Sequence, residues 1–161
     1  MTLRPPVEHF RRSPDPLFVE QQHMPQPHIR ITRRFHFSAS HRYWQPAWTD
    51  EANEQVFGKN IHSHGHNYIL EVTIEGPIDP DTGMILNLTD VKHRVNDLLE
   101  KYYDHRNLNV DHPAFASAQP TTERIALQLA QEVRELIDDG HVRLYRIRLW
   151  ETEDLYAEVI C

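Results

Sequence analysis

Three histidines of this chain stand at the ends of two segments in which apolar and polar residues alternate. His64 and His66 open one segment, and His41 closes an earlier one that begins at Ile29. Alternation with a period of two predicts β-strands, in which residues i and i+2 share a face. Three neutral imidazoles with a fourth position left open are the ligand set of a catalytic zinc ion. We therefore predict that His41, His64 and His66 bind zinc.

The elements that must position these histidines follow from the same periodicity. The first strand is predicted over Ile29–His41 and the second over residues 65–75, with a long loop over residues 42–63 between them. Strands in two pairs, with two helices and no βαβ alternation, predict an antiparallel α+β fold. The remaining predicted elements are a helix capped by Asn87 or Thr89, a helix from Thr121 or Thr122 to Gly140, and a hairpin of strands at residues 142–151 and 155–160.

Composition narrows the class of protein. Proline-rich residues 1–27 are expected to form a flexible N-terminal extension, and residues 28–161 a single domain. A formal charge of −7 argues against a nucleic-acid partner, which would favour a basic surface. We expect no secretory signal and no membrane span, because no apolar run is long enough. The single cysteine, Cys161, excludes an internal disulfide framework and favours a reducing, cytoplasmic location.

Several short motifs accompany the histidines, and together they are far more specific than a His-x-His pair alone. The motifs are FSASHR at 37–42, FGK at 57–59, HGHNY at 64–68, GMILNLTDVK at 83–92, DHRNLN at 104–109, TTE at 121–123 and ETE at 151–153. With these motifs in order, the chain resembles the 6-pyruvoyl-tetrahydropterin synthase / 6-carboxy-tetrahydropterin synthase family over residues 28–161.

The resemblance implies a tunnelling fold, in which an antiparallel four-stranded sheet carries two helices on one face. Three subunits would close an oligomeric barrel, and two trimers would stack into a homo-hexamer. It also implies a small-molecule pterin substrate and zinc (Zn²⁺) on the three histidines. The remaining site residues that it implies are Glu151 as the anchor of the pterin ring, Thr121, Thr122 and Glu123 lining its pocket, and Asp104 and His105 as a proton relay.

One position departs from the family pattern. The catalytic cysteine of the family follows the FGK segment, and Asn60 stands there in this chain. An amide cannot take up a proton at neutral pH, so another group would have to replace the thiolate. His62 is the first candidate, because an imidazole titrates near neutrality. Three acids also lie near this position in the sequence: Glu54, Glu51 and Asp50.

The expected activity is that of a zinc-dependent lyase acting on a dihydropterin triphosphate. We expect 7,8-dihydroneopterin triphosphate as substrate, with the 6-carboxy-tetrahydropterin synthase reaction preferred and the 6-pyruvoyl reaction as the alternative. Since Asn60 replaces the thiol, a diverged dihydropterin aldolase or epimerase stays open. So does a non-catalytic pterin-binding protein, although retention of the other motifs disfavours it.

Overall fold

A computed structural model describes residues 29–161, and the predicted extension at residues 1–27 lies outside the described residues. One sheet with the strand order β3-β1-β2-β4-β5 forms the centre of the domain. Its four long strands pair antiparallel, as predicted. The fifth, β3, contributes two residues and runs parallel to the end of β1. The strands are β1 (Ile29–His41), β2 (His64–Gly76), β3 (Arg106–Asn107), β4 (Arg143–Trp150) and β5 (Tyr156–Ile160).

Two helices, α2 (Leu88–Tyr102) and α4 (Thr122–Ile137), supply the apolar layer that covers the sheet. The side chains of Asn87 and Thr121 cap their first turns, as the sequence predicts. Helix α4 ends at Ile137, before Gly140, where the sequence predicted its end. The alternation along β1 and β2 is confirmed, since their apolar face forms the core with both helices. Core residues of these elements include Phe35, Phe37, Tyr68, Leu70, Val72, Val91, Val95, Ile125, Leu129 and Val133.

The opposite face of the sheet is polar, and its carboxylates are covered by arginines. Glu75 accepts hydrogen bonds from Arg143 and Arg30, each at 2.7 Å. These hydrogen bonds, that of Arg143 foremost, lower the pKa of Glu75 to about 2. Arg34 binds Glu71 in the same way, at 2.9 Å. The arginines of this face are therefore engaged by neighbouring acids.

The connection between β1 and β2 is more ordered than the predicted loop. It contains helix α1 (Asp50–Phe57), capped by the Thr49 side chain, and a 3₁₀ turn over Gly58–Ile61. The prediction was wrong here because the helix is short and only Asn53 is buried, so it carries no apolar stripe. The turn matters for the site, since the Asn60 carbonyl accepts a 2.8 Å hydrogen bond from the Tyr43 N–H.

A short helix, α3 (Leu108–Asp111), follows β3, and a 3₁₀ turn over Pro113–Phe115 comes next. Among residues 29–161, no helix combines the length and apolar character needed to cross a bilayer.

Candidate metal centre and adjoining cavities

The strand register brings the three predicted zinc ligands together. His41 lies opposite His64 where β1 pairs with β2, and Ala39 lies opposite His66. One ring nitrogen from each histidine falls within 4.8 Å of the others. The three ligand residues all belong to strands: two stand two residues apart on β2, and one lies on its antiparallel neighbour β1.

Hydrogen bonds orient two of the three rings. Nδ1 of His41 lies 2.7 Å from the Pro120 carbonyl, and Nδ1 of His64 lies 2.8 Å from the His62 carbonyl. A carbonyl can only accept, so each Nδ1 carries a proton, and in the neutral ring Nε2 is the nitrogen left to bind a metal ion. This is the outer support that metal-binding histidines usually have.

The chemistry of these ring nitrogens fits a divalent metal ion. Nε2 of His41 and Nε2 of His66 are buried and have no hydrogen-bond partner within the described part of the chain. Burial lowers the pKa of both imidazoles, and the neighbouring His64 lowers them further, although Glu151 opposes the shift. Neutral imidazoles with unsatisfied, inward-facing nitrogens are what zinc requires of its ligands.

Glu151 lies directly beside this centre, at the end of β4. Its side chain is buried, with 8% of the residue exposed. One carboxylate oxygen, Oε2, accepts a 2.7 Å hydrogen bond from the Thr122 hydroxyl. The other, Oε1, lies 3.3 Å from Nε2 of His41 and 3.4 Å from Nε2 of His66. A buried carboxylate held in this way is a strong acceptor for a polar ligand.

A cavity of about 710 Å³, here called the acidic cavity, extends from Glu151. It brings together five residues that the sequence predicted for the site, and the family's cysteine position is among them. None of its lining residues is a cysteine, lysine or arginine. The predicted residues on its wall are Asn60, Thr121, Thr122, Glu123 and Glu151, joined by Tyr43 and by Glu158 of β5.

Two tyrosines of the site were not predicted. Burial, together with the carboxylates of Glu151 and Glu123, raises the pKa of Tyr43 to about 12. Burial and Glu151 also raise the pKa of Tyr68, whose ring lies 5.7 Å from that of His66. Each tyrosine stands two residues after a metal-centre histidine. Since residues two apart in an extended chain share a face, this spacing could have predicted that both tyrosines lie beside the metal centre.

Asp104 and His105 form a close pair, but outside the acidic cavity. Nδ1 of His105 lies 2.9 Å from Asp104 Oδ2, and the Ser38 N–H donates to Asp104 Oδ1 at 2.8 Å. Although burial opposes it, these hydrogen bonds hold the pKa of Asp104 below its ordinary value. His105 has φ = 57°, a strained conformation for a non-glycine residue. Its side chain is 82% exposed and lines a separate cavity beside His66.

The groups expected to replace the thiolate do not reach the acidic cavity. His62 is exposed and lines a different cavity of about 870 Å³. Its contribution to the centre is its backbone carbonyl, which orients His64. Glu54, Glu51 and Asp50 are exposed on α1, and none of them lines the acidic cavity.

Comparison with known proteins places these features in a family. Residues 30–160 match the family model described as 6-pyruvoyl tetrahydropterin synthase. The 6-pyruvoyl tetrahydrobiopterin synthase of Drosophila melanogaster is 42% identical over 79% of this chain and 76% of that protein. The Homo sapiens protein of the same name is 39% identical over 78% of this chain and 86% of that protein. A solved Caenorhabditis elegans 6-pyruvoyl tetrahydropterin synthase has a TM-score of 0.78 and 29% identity, covering 84% of this chain and 97% of that one.

Two relatives of lower identity carry other names. The dihydroneopterin monophosphate aldolase of Pyrococcus furiosus is 33% identical over 81% of this chain and 96% of that protein. The 6-carboxy-5,6,7,8-tetrahydropterin synthase of Aquifex aeolicus is 24% identical over 80% of this chain and 95% of that protein. The predicted tunnelling fold is confirmed by the solved neighbour. Since the family model covers nearly all of the described residues, this chain belongs to the 6-pyruvoyl tetrahydropterin synthase family.

Proposed function

We propose that this protein is a zinc-dependent lyase that acts on a phosphorylated dihydropterin, with 7,8-dihydroneopterin triphosphate as substrate. The observation that carries the proposal is the buried carboxylate of Glu151 beside a three-histidine centre, at one wall of a cavity. Such a site would recognise two parts of a substrate. One is a heterocyclic ring rich in hydrogen-bond donors, and the other is a substituent that can chelate a metal ion.

The ring would be held by Glu151. A pterin presents an amino group and a ring N–H on one edge, and a carboxylate accepts both in a bidentate arrangement. The Thr122 hydroxyl fixes the carboxylate, and Tyr43 closes the neighbouring wall. His41, His64 and His66 would hold zinc, which when bound supplies a Lewis acid that makes hydroxyls of the substrate side chain more acidic. Asp104 and His105 would exchange protons with the substrate side chain from the separate cavity that His105 shares with His66.

The relatives support the 6-pyruvoyl reaction over the 6-carboxy reaction that the sequence analysis preferred. Two relatives named 6-pyruvoyl tetrahydrobiopterin synthase are 42% and 39% identical in sequence to this chain. The relative named 6-carboxy-5,6,7,8-tetrahydropterin synthase is only 24% identical. We therefore take the 6-pyruvoyl reaction as the first candidate.

A carbon–carbon cleavage of the dihydropterin side chain is the second candidate. Asn60 stands where the family has its thiolate, and no cysteine lines the acidic cavity. A relative at 33% identity is named dihydroneopterin monophosphate aldolase. A site without the thiolate base would favour a reaction that needs fewer proton transfers.

The proposal is tested by identifying products by mass spectrometry, with the Glu151→Gln variant alongside the native protein. We expect native protein to convert 7,8-dihydroneopterin triphosphate. The variant loses a charged acceptor, so its affinity for the pterin should fall by about 1.5–3 kcal/mol, or about 10- to 150-fold. Calorimetry with the non-reactive analogue neopterin measures this loss.

Glu153→Gln is the matched control, because Glu153 belongs to the same motif but is exposed. Metal content is measured in both variants, since Glu151 also lies beside the histidines. Unchanged neopterin affinity in Glu151→Gln would show that the ring is held elsewhere. A native protein that binds no pterin and forms no product would overturn the proposal as a whole.

We also propose that the chain assembles as a hexamer. The outer edge of β5 has no strand partner within residues 29–161, and it exposes Tyr156 and Ile160. Open edges of this kind are usually paired or covered, and closure of several sheets into a barrel removes them. Light scattering should give a particle of six chains of 19.1 kDa, about 115 kDa. A monomer at micromolar concentration would contradict this assembly.

A further inference from the structure

The backbone that follows His41 is held by side chains and not by a neighbouring strand. The antiparallel ladder of β1 and β2 ends at the pair His41 and His64, and residues 42–45, which come next, belong to no helix or strand. Backbone N–H and C=O groups outside helices and strands often bond to water, which leaves the chain free to move. Here two side-chain amides bind these groups at Arg42 and at Trp44.

The first of these amides belongs to Asn109. Its Oδ1 accepts from the Arg42 N–H at 2.8 Å, and its Nδ2 donates to the Arg42 carbonyl at 3.0 Å. Where β3 pairs with β1, Ala39 lies opposite Arg106, and Arg42 and Asn109 are separated by the same 67 residues. The amide therefore takes the place of a strand backbone just beyond the end of β3.

The second amide belongs to Gln119, which lies next to a group that orients a metal-centre histidine. Its Oε1 accepts from the Trp44 N–H at 2.8 Å, and its Nε2 donates to the Trp44 carbonyl. The residue after Gln119 is Pro120, whose carbonyl accepts the 2.7 Å hydrogen bond from Nδ1 of His41. Gln119 therefore connects the segment that leaves His41 to the segment that orients its ring.

Tyr43 lies between the two residues that the amides bind. Its N–H donates to the Asn60 carbonyl at 2.8 Å, and its ring centre lies 5.2 Å from that of His41. The loop is thus fixed at three consecutive residues, at two of them by an amide that both donates and accepts. Ligand side chains bind a metal ion most tightly when the surrounding structure fixes their orientation before the metal arrives.

We propose that Asn109 and Gln119 are positioning residues of the metal centre, which hold the His41 ring in the orientation that binds zinc. This inference rests on the zinc centre of the proposed function, and neither amide is assigned a contact with metal or substrate. Loss of an outer residue that fixes a metal ligand typically lowers metal affinity by about 10- to 100-fold. Since His64 is oriented through the His62 carbonyl, the effect on ring orientation should be confined to His41.

The test measures zinc affinity and ring orientation in Gln119→Met and in Asn109→Leu, which keep the approximate size of each side chain and lose its hydrogen bonds. Competition with a chelator of known affinity should give a zinc dissociation constant about tenfold higher in each variant. Nitrogen NMR of the metal-free proteins at about pH 8, where imidazoles are neutral, shows which ring nitrogen carries the proton. His41 should be protonated at Nδ1 in native protein and should become a mixture of both tautomers in the variants, whereas His64 should keep its tautomer.

Gln128→Met is the matched control, because the Gln128 amide donates a 2.8 Å hydrogen bond to Glu132 on α4, outside the loop. It should keep both the zinc affinity and the His41 tautomer. Melting temperatures identify a variant that fails to fold, and because each amide has its own variant, the one that folds decides.

Two results would overturn the inference and leave the proposed function intact, both with native protein that binds zinc. One is an unchanged zinc affinity and an unchanged His41 tautomer in Gln119→Met and Asn109→Leu. The other is an equal loss of affinity in Gln128→Met, which would assign the effect to general destabilisation. Native protein that binds no zinc would refute the metal centre of the proposed function, and this inference with it.

Discussion

Replacing His64 with alanine is expected to remove most of the bound zinc and to lower turnover by about 100-fold or more. His64 supplies one of three ring nitrogens that cluster within 4.8 Å, and two ligands hold zinc far more weakly than three. A metal ion that stabilises developing negative charge contributes several kcal/mol, and each 1.36 kcal/mol is a factor of ten in rate. Metal analysis of the purified variant and steady-state kinetics measure the two effects.

His93→Ala is the matched control, since His93 is exposed on α2 and lies outside the cluster. It should keep both the metal and the activity. A chelator should lower the melting temperature of the native protein, because bound metal stabilises the folded state, and should have little effect on His64→Ala. Native protein that takes up no zinc with all three histidines intact would refute the metal centre.

Replacing Asn60 with cysteine is expected to raise turnover of 7,8-dihydroneopterin triphosphate by about 10²- to 10⁴-fold, the usual contribution of a positioned acid or base. Asn60 lines the acidic cavity together with Glu151, so a thiolate introduced there would face the bound substrate. The backbone should keep its position, because the Tyr43 N–H bonds to the carbonyl of residue 60 and not to its side chain. Steady-state kinetics of native protein, Asn60→Cys and Asn60→Ser gives the comparison.

Asn60→Ser separates the effect of the thiol from that of a smaller side chain, and it should not gain activity. If native turnover is already high and Asn60→Cys adds little, another group of the cavity serves as the base. Glu123 is then the first choice, because it lines the acidic cavity and His62 and Glu54 do not. Glu123→Gln should abolish such activity, whereas His62→Ala and Glu54→Gln should leave it unchanged.

Local sequence was sufficient for the elements that carry the metal centre. The alternation ending in His41, and the pair His64 and His66, predicted two strands and the face that each histidine shares. Those strands were predictable because the period of two is a local property, and burial of one face preserves it. The helices on the sheet were predictable for the same reason, through apolar stripes and the caps Asn87 and Thr121.

Only the tertiary structure decided which of the predicted site residues lie together and which lie apart. The carbonyl that orients His41 belongs to Pro120, 79 residues along the chain, and the Thr122 hydroxyl binds Glu151 from 29 residues away. Long-range packing also separated the groups that the sequence placed together. Asn60 lines the acidic cavity, whereas His62 lines the separate cavity of about 870 Å³, because the 3₁₀ turn ends between them. Proximity along the chain therefore favoured His62, a group that lies outside the acidic cavity, and the wall of that cavity arises only when distant segments meet.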